Sequence, residues 1–137
     1  MDILKKIDPA WPLRLGLGIM FLYSSYDIFM HPTAWYWAVR PLPQFLQTVI
    51  NNQVGINTYL RMQALGEFTL ALGLLLWFLP RSVVRWAAGL AALEMVGILF
   101  LVGVDAVTFR DISLLGAALS LWMAFLQKNT SKIKNTI

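Results

Sequence analysis

QALGEFTLALGLLLWFL, residues Gln63 to Leu79, is almost wholly apolar and long enough to cross a bilayer. Glu67 nevertheless sits inside it, about two turns in from one end of the helix expected over 60–79. A charge in the middle of a membrane helix costs about 2.5–3.5 kcal/mol on insertion scales. Such a residue persists where it is neutralised, paired, or turned to a polar cavity. The rest of the chain divides into three more apolar segments and one long connection that can supply that environment.

The composition agrees with a membrane setting. Of 137 residues, 58% are hydrophobic and only 13% charged, and mean hydropathy is +0.65. Soluble domains carry about 25% charge. The net charge of +4 is no nucleic-acid signature, because the basic residues are scattered at the edges of apolar runs. With no cysteine, a disulfide framework, a thiolate metal site and a thiol relay within this chain are excluded. Lys5 and Lys6 precede the first apolar run as in a signal peptide. That run reaches Met30, contains Arg14 and ends in no small-x-small site, so a retained first helix is expected.

The pattern predicts helix 1 over residues 12–30, with Pro12 at a first helical position and His31-Pro32 as the stop. In the following connection, Trp35, Tyr36 and Trp37 form an interfacial aromatic cluster. Leu42, Phe45, Leu46, Val49 and Ile50 then recur at helical spacing opposite Gln44, Gln47, Thr48 and Asn51. This predicts a short amphipathic helix over 42–52, lying on the bilayer surface or over the bundle. Helices 2, 3 and 4 are expected over 60–79, 83–102 and 109–127, followed by a basic mobile tail over 128–137. The side holding both termini carries eight Lys and Arg residues against three on the other (Arg40, Arg61 and Arg110). Both termini are therefore expected in the cytoplasm of a multi-pass protein of the cell membrane.

Most of the unusual polar residues then fall in the outer half. Tyr23 and Asp27 share a face of helix 1, and His31 follows Asp27 by one turn. Gln63 and Glu67 share a face of helix 2. Glu94 lies near the middle of helix 3, and Asp105 shares its face if the helix continues that far. Arg110 and Asp111 open helix 4, where Arg110, Ser113, Ala117 and Ser120 form a stripe expected to face other helices. Together these residues outline an outward-opening polar pocket under the amphipathic segment. A carboxyl group there can exchange a proton with a quinone head group or another small ligand. The alternative is structural: Glu67 pairs with Arg110 or Arg61, Glu94 bonds between helices, and the ions only set register. A single histidine with oxygen ligands at irregular spacing predicts no metal site, and no histidine pair is present for haem. The seven helical glycines, Gly16, Gly18, Gly66, Gly73, Gly89, Gly97 and Gly116, are expected to permit close helix approach.

Three stretches carry a resemblance. They are RLGLGIMFLYSSYDIFMHP in helix 1, LGEFTLALGLLLWFLPRSVVRWAA across helices 2 and 3, and FRDISLLGAALSLWMAF in helix 4. Over residues 13 to 126 the chain resembles the DoxX/DoxD-like family of four-helix membrane proteins. The most recognisable points fall on Gly66, Glu67, Arg110 and Asp111. Near the end of helix 1, where many members have a glycine and a lysine, this chain has Ser25 and Asp27. The resemblance implies an all-α bundle of four transmembrane helices and a membrane subunit linked to redox chemistry. Such subunits include the small subunit of a thiosulfate:quinone oxidoreductase and partners of oxidative-stress enzymes. Related families include membrane chaperones and cargo receptors.

The expectation is thus a quinone-interacting or accessory subunit of an oxidoreductase complex. It would hold no redox centre of its own, take electrons from a partner enzyme, and work alone or as an oligomer. A non-enzymatic scaffold and a small-solute transporter built as an oligomer are the alternatives.

Overall fold

The computed structural model describes Asp8 and residues 10–134, with side chains to Gln127; Lys5, Lys6 and the last three residues lie outside the described residues. The fold is all-α, with no strand among the described residues. Four long helices dominate: α1 (Ala10–Met30), α4 (Ile56–Leu75), α5 (Arg81–Leu101) and α6 (Phe109–Lys134). Between α1 and α4 the chain forms a 3₁₀ turn at Pro32–Trp35, then α2 (Tyr36–Val39), α3 (Gln44–Val49) and a π-helical turn at Ile50–Val54.

The helices alternate in direction. α1 packs along α4, α5 along α6, and the two pairs close on each other through α4 with α5 and α1 with α6. Two helices are long and apolar enough to cross a membrane, Arg81–Leu101 and the Phe109–Gln127 part of α6. Of their most apolar windows, 33% and 17% are buried inside the bundle.

Several boundaries differ from the sequence expectation. α4 spans 56–75 and not 60–79. It starts early because Gly55, at φ +82°, turns the chain in a conformation that other residues avoid. It stops early because Arg14 reaches across from α1. The Arg14 Nε donates to Leu74 O (2.8 Å) and a terminal nitrogen donates to Leu76 O (3.0 Å). Carbonyls left over at a helix end thereby gain a cationic donor. No glycine or proline marks this stop locally. At the other chain end α6 continues beyond the expected end at 127 to Lys134. The segment contains no glycine or proline to break the helix.

The amphipathic segment is shorter and less regular than a single 42–52 helix. Its expected apolar face is only partly seated: Ile50 is buried, while Phe45 and Val49 are 68% and 44% exposed. The buried side chains form two clusters. An inner one joins all four long helices through Leu17, Phe21, Leu74, Ala91 and Leu121. An outer one joins Ile28, Val39, Ile50, Leu60 and Ala64 from α1, the connection and α4. α5 and α6 contribute nothing to the outer cluster, which leaves space between them and α1 and α4.

Candidate functional site: a cavity beneath the outer connection

That space is a cavity of about 680 Å³. Its walls come from Met20, Tyr23 and Ser24 of α1, Tyr59, Gln63 and Glu67 of α4, Glu94 and Ile98 of α5, and Arg110, Asp111 and Ser113 of α6. Trp35, Trp37, Val39 and Leu42 of the connection cover it. The lining is largely apolar, with the polar groups gathered on α4, α5 and the first turns of α6.

Glu67 is the most enclosed of these groups, at 5% exposed. Its Oε1 accepts a long hydrogen bond from Gln63 Nε2, one turn earlier (3.4 Å). Its Oε2 is buried with no hydrogen-bond partner. Ser24 and Glu94 lie against the same carboxyl group. Buried polar atoms are rarely left unsatisfied, so this oxygen is where Ser24, a protonated Glu94, a water or a ligand group would bond. Among the described residues neither Arg110 nor Arg61 forms an ion pair with Glu67; the acid–base contact there is between Asp27 and His31, an ion pair only when the imidazole is protonated. Arg110 is exposed on the cavity wall, and the Arg61 guanidinium lies 5.8 Å from the Phe29 ring centre.

Of the nine residues singled out by sequence, Tyr23, Gln63, Glu67, Glu94, Arg110 and Asp111 line one cavity. Asp27, His31 and Asp105 do not. Asp27 ties the connection to α1: Oδ2 accepts from Trp35 Nε1 (2.8 Å), and Oδ1 meets His31 Nδ1 (3.2 Å). Asp105 does not share the Glu94 face, because α5 ends at Leu101 and Gly103 reverses the chain at φ +90°. Asp105 instead organises the start of α6. Its Oδ1 accepts from the backbone N–H groups of Val107 (2.7 Å) and Thr108 (2.8 Å), which hold its carboxyl below the usual aspartate range. Thr108 Oγ1 completes the turn by donating to Gly103 O (2.7 Å) and accepting from the Asp105 N–H (2.8 Å).

The small and polar stripe of α6 also departs from expectation. Arg110 and Ser113 face the cavity, but Ser120 is exposed and its hydroxyl donates back to Gly116 O (2.8 Å). The buried face of α6 is Ala118, Leu121 and Phe125. Among the described residues no three His, Cys, Asp or Glu side chains are grouped to hold a metal ion. Sequence reasoning overlooked Ser24 and Tyr59. Tyr59 was within reach of the periodicity, since it precedes Gln63 and Glu67 by one and two turns on the same face. Comparison with protein-family models, curated proteins and solved structures gives no match to this chain.

Proposed function

We propose that this chain is an integral membrane protein crossing the bilayer four times, whose outer cavity binds the head group of a quinone as the accessory subunit of an oxidoreductase complex. The membrane part is supported by apolar residues turned outward along the long helices, such as Ile19 (58% exposed), Leu93 (65%) and Phe100 (86%). The polar residues within the apolar runs of α1 and α4, Arg14 and Glu67, are buried among the helices, as a lipid setting requires.

The observation that carries the ligand reading is the orphaned Glu67 Oε2, next to Glu94 in a largely apolar cavity. Two carboxyl groups side by side with no cation bonded to either can hold a proton between them. A quinone carbonyl in the cavity would accept that proton's hydrogen bond, with Gln63 and Ser24 as further donors. Reduction to the quinol takes up two electrons and two protons. The electrons come from the partner enzyme, and the protons pass through the acid pair from the outer side.

The test is titration of the purified protein with a short-chain quinone, read by quenching of tryptophan fluorescence, since Trp35 and Trp37 cover the cavity. Saturable quenching is expected. Glu67→Gln keeps the shape and should weaken binding about tenfold, the loss of one strong hydrogen bond. Absence of saturable quenching in the unaltered protein sinks the quinone reading. Gentle purification from native membranes should also bring down a stoichiometric redox enzyme. A changing set of membrane clients would favour a scaffold, and solute flux in liposomes a transporter.

A further inference from the structure

A second concavity lies on the outside of the bundle, between α1 and α4. It has a volume of about 600 Å³ and is walled by Leu22, Tyr26 and Phe29 of α1 and Ala64, Leu65 and Phe68 of α4. It offers an occupant no free polar group from Ser25, whose hydroxyl is already donated to Leu22 O (2.9 Å). Arg61 is not a wall residue, but its guanidinium lies 5.8 Å from the ring centre of Phe29, which is. It precedes Ala64, Leu65 and Phe68 by three, four and seven positions, which places it on the same face of α4. Its guanidinium lies over Phe29, it is exposed, and it forms no ion pair among the described residues. α4 begins only five residues earlier, so the positive end of its dipole is close by.

An apolar trough with a cation beside one of its wall residues fits an amphiphile with an apolar chain and an anionic head. We infer that the α1–α4 groove is a binding site for a phospholipid of the outer leaflet, its acyl chain along the groove and its phosphate on Arg61. A second copy of this chain fits worse. A two-fold axis along the membrane normal would bring Arg61 against its own copy, with like charges meeting in an apolar interface. The inference rests on the membrane reading above, though not on the quinone.

The test reconstitutes the full chain in nanodiscs of equal parts phosphatidylglycerol and phosphatidylcholine, then releases it for native mass spectrometry. The unaltered protein should retain phosphatidylglycerol in preference to phosphatidylcholine. Arg61→Gln should lower retained phosphatidylglycerol about fivefold, the effect of one basic residue at an anionic surface. Leu65→Trp changes an exposed side chain, so folding should survive, and its ring should fill the groove and displace both lipids. A bare monomer, a lipid-free dimer, or equal retention by Arg61→Gln would overturn the site. Carbonate washing of the source membranes separates the two readings. A chain found in the wash brings both down, whereas a chain that stays in the membrane yet releases bare brings down only the lipid site.

Discussion

At the scale of single residues, cost made some positions legible and hid others. Glu67 was legible because an isolated carboxyl in an apolar run is expensive and needs a reason. Ser24 costs little wherever it falls, so nothing in the sequence separated it from its neighbours, whereas Tyr59 was within reach on the Gln63 and Glu67 face. Arg14 was legible as a charge, but its role was not. By composition it is one more cation near the inner face. In the fold it is 7% exposed, stacks 4.3 Å from the Trp11 ring centre, and caps the end of α4. Sixty residues separate donor from acceptor, so no local pattern can reveal the pair. Arg14→Gln should therefore destabilise the bundle by about 2 kcal/mol, the worth of hydrogen bonds from a charged donor. Arg14→Lys should recover part of that, because one ammonium cannot reproduce the two-pronged donation. Thermal unfolding in detergent measures both, and an unchanged midpoint for Arg14→Gln would remove the capping account.

At the scale of elements, periodicity located every long helix. Ends were harder. Those fixed by local chemistry, such as the His31-Pro32 stop, were legible, whereas the end of α4 depends on α1. The glycines show the same division. A Cβ on Gly18 would come within 2.6 Å of Leu75 Cγ, and one on Gly73 within 3.0 Å of the Ala87 Cβ. On Gly89 it would meet the Trp122 ring at 3.3 Å. These three mark close helix approach. Gly16, Gly66, Gly97 and Gly116 have nothing within 4 Å, so the expectation of close packing fails for them. Sequence spacing cannot tell the two groups apart, because both sit at helical positions in apolar runs. Gly18→Leu should lower stability by about 1–3 kcal/mol, since Leu74 and Leu75 must both give way. Gly66→Ala should leave stability equal or raise it by up to about 1 kcal/mol, because alanine favours the helix. The paired melting curves check this. Equal losses in both variants would mean that the α1–α4 contact is not as close as described.

At the scale of the whole molecule, the alternation of four helices makes sidedness the most consequential expectation. The loop from residue 31 to 55 and the turn from 102 to 108 lie at one end of the bundle, and the turn from 76 to 80 at the other. The charge rule needs revising in light of the fold, because Arg14 is consumed as a cap and is no free charge at the membrane edge. Setting it aside leaves Arg81 and Arg85 with the five lysines on one side, against Arg40, Arg61 and Arg110. The bias keeps its sign, but now rests mainly on lysines at the two ends of the chain. The absence of cysteine makes this testable, since any single introduced thiol is unique. Asn52→Cys and Ala106→Cys, both exposed, should react with a membrane-impermeant maleimide in intact cells. Ser82→Cys, exposed at the opposite end, should react only after permeabilisation. The reverse pattern would keep four crossings and invert the protein, putting the cavity and its acid pair on the cytoplasmic side. Reaction of all three positions only after permeabilisation would leave the two ends of the bundle on the same side of the membrane, and the four-crossing reading would fall with it.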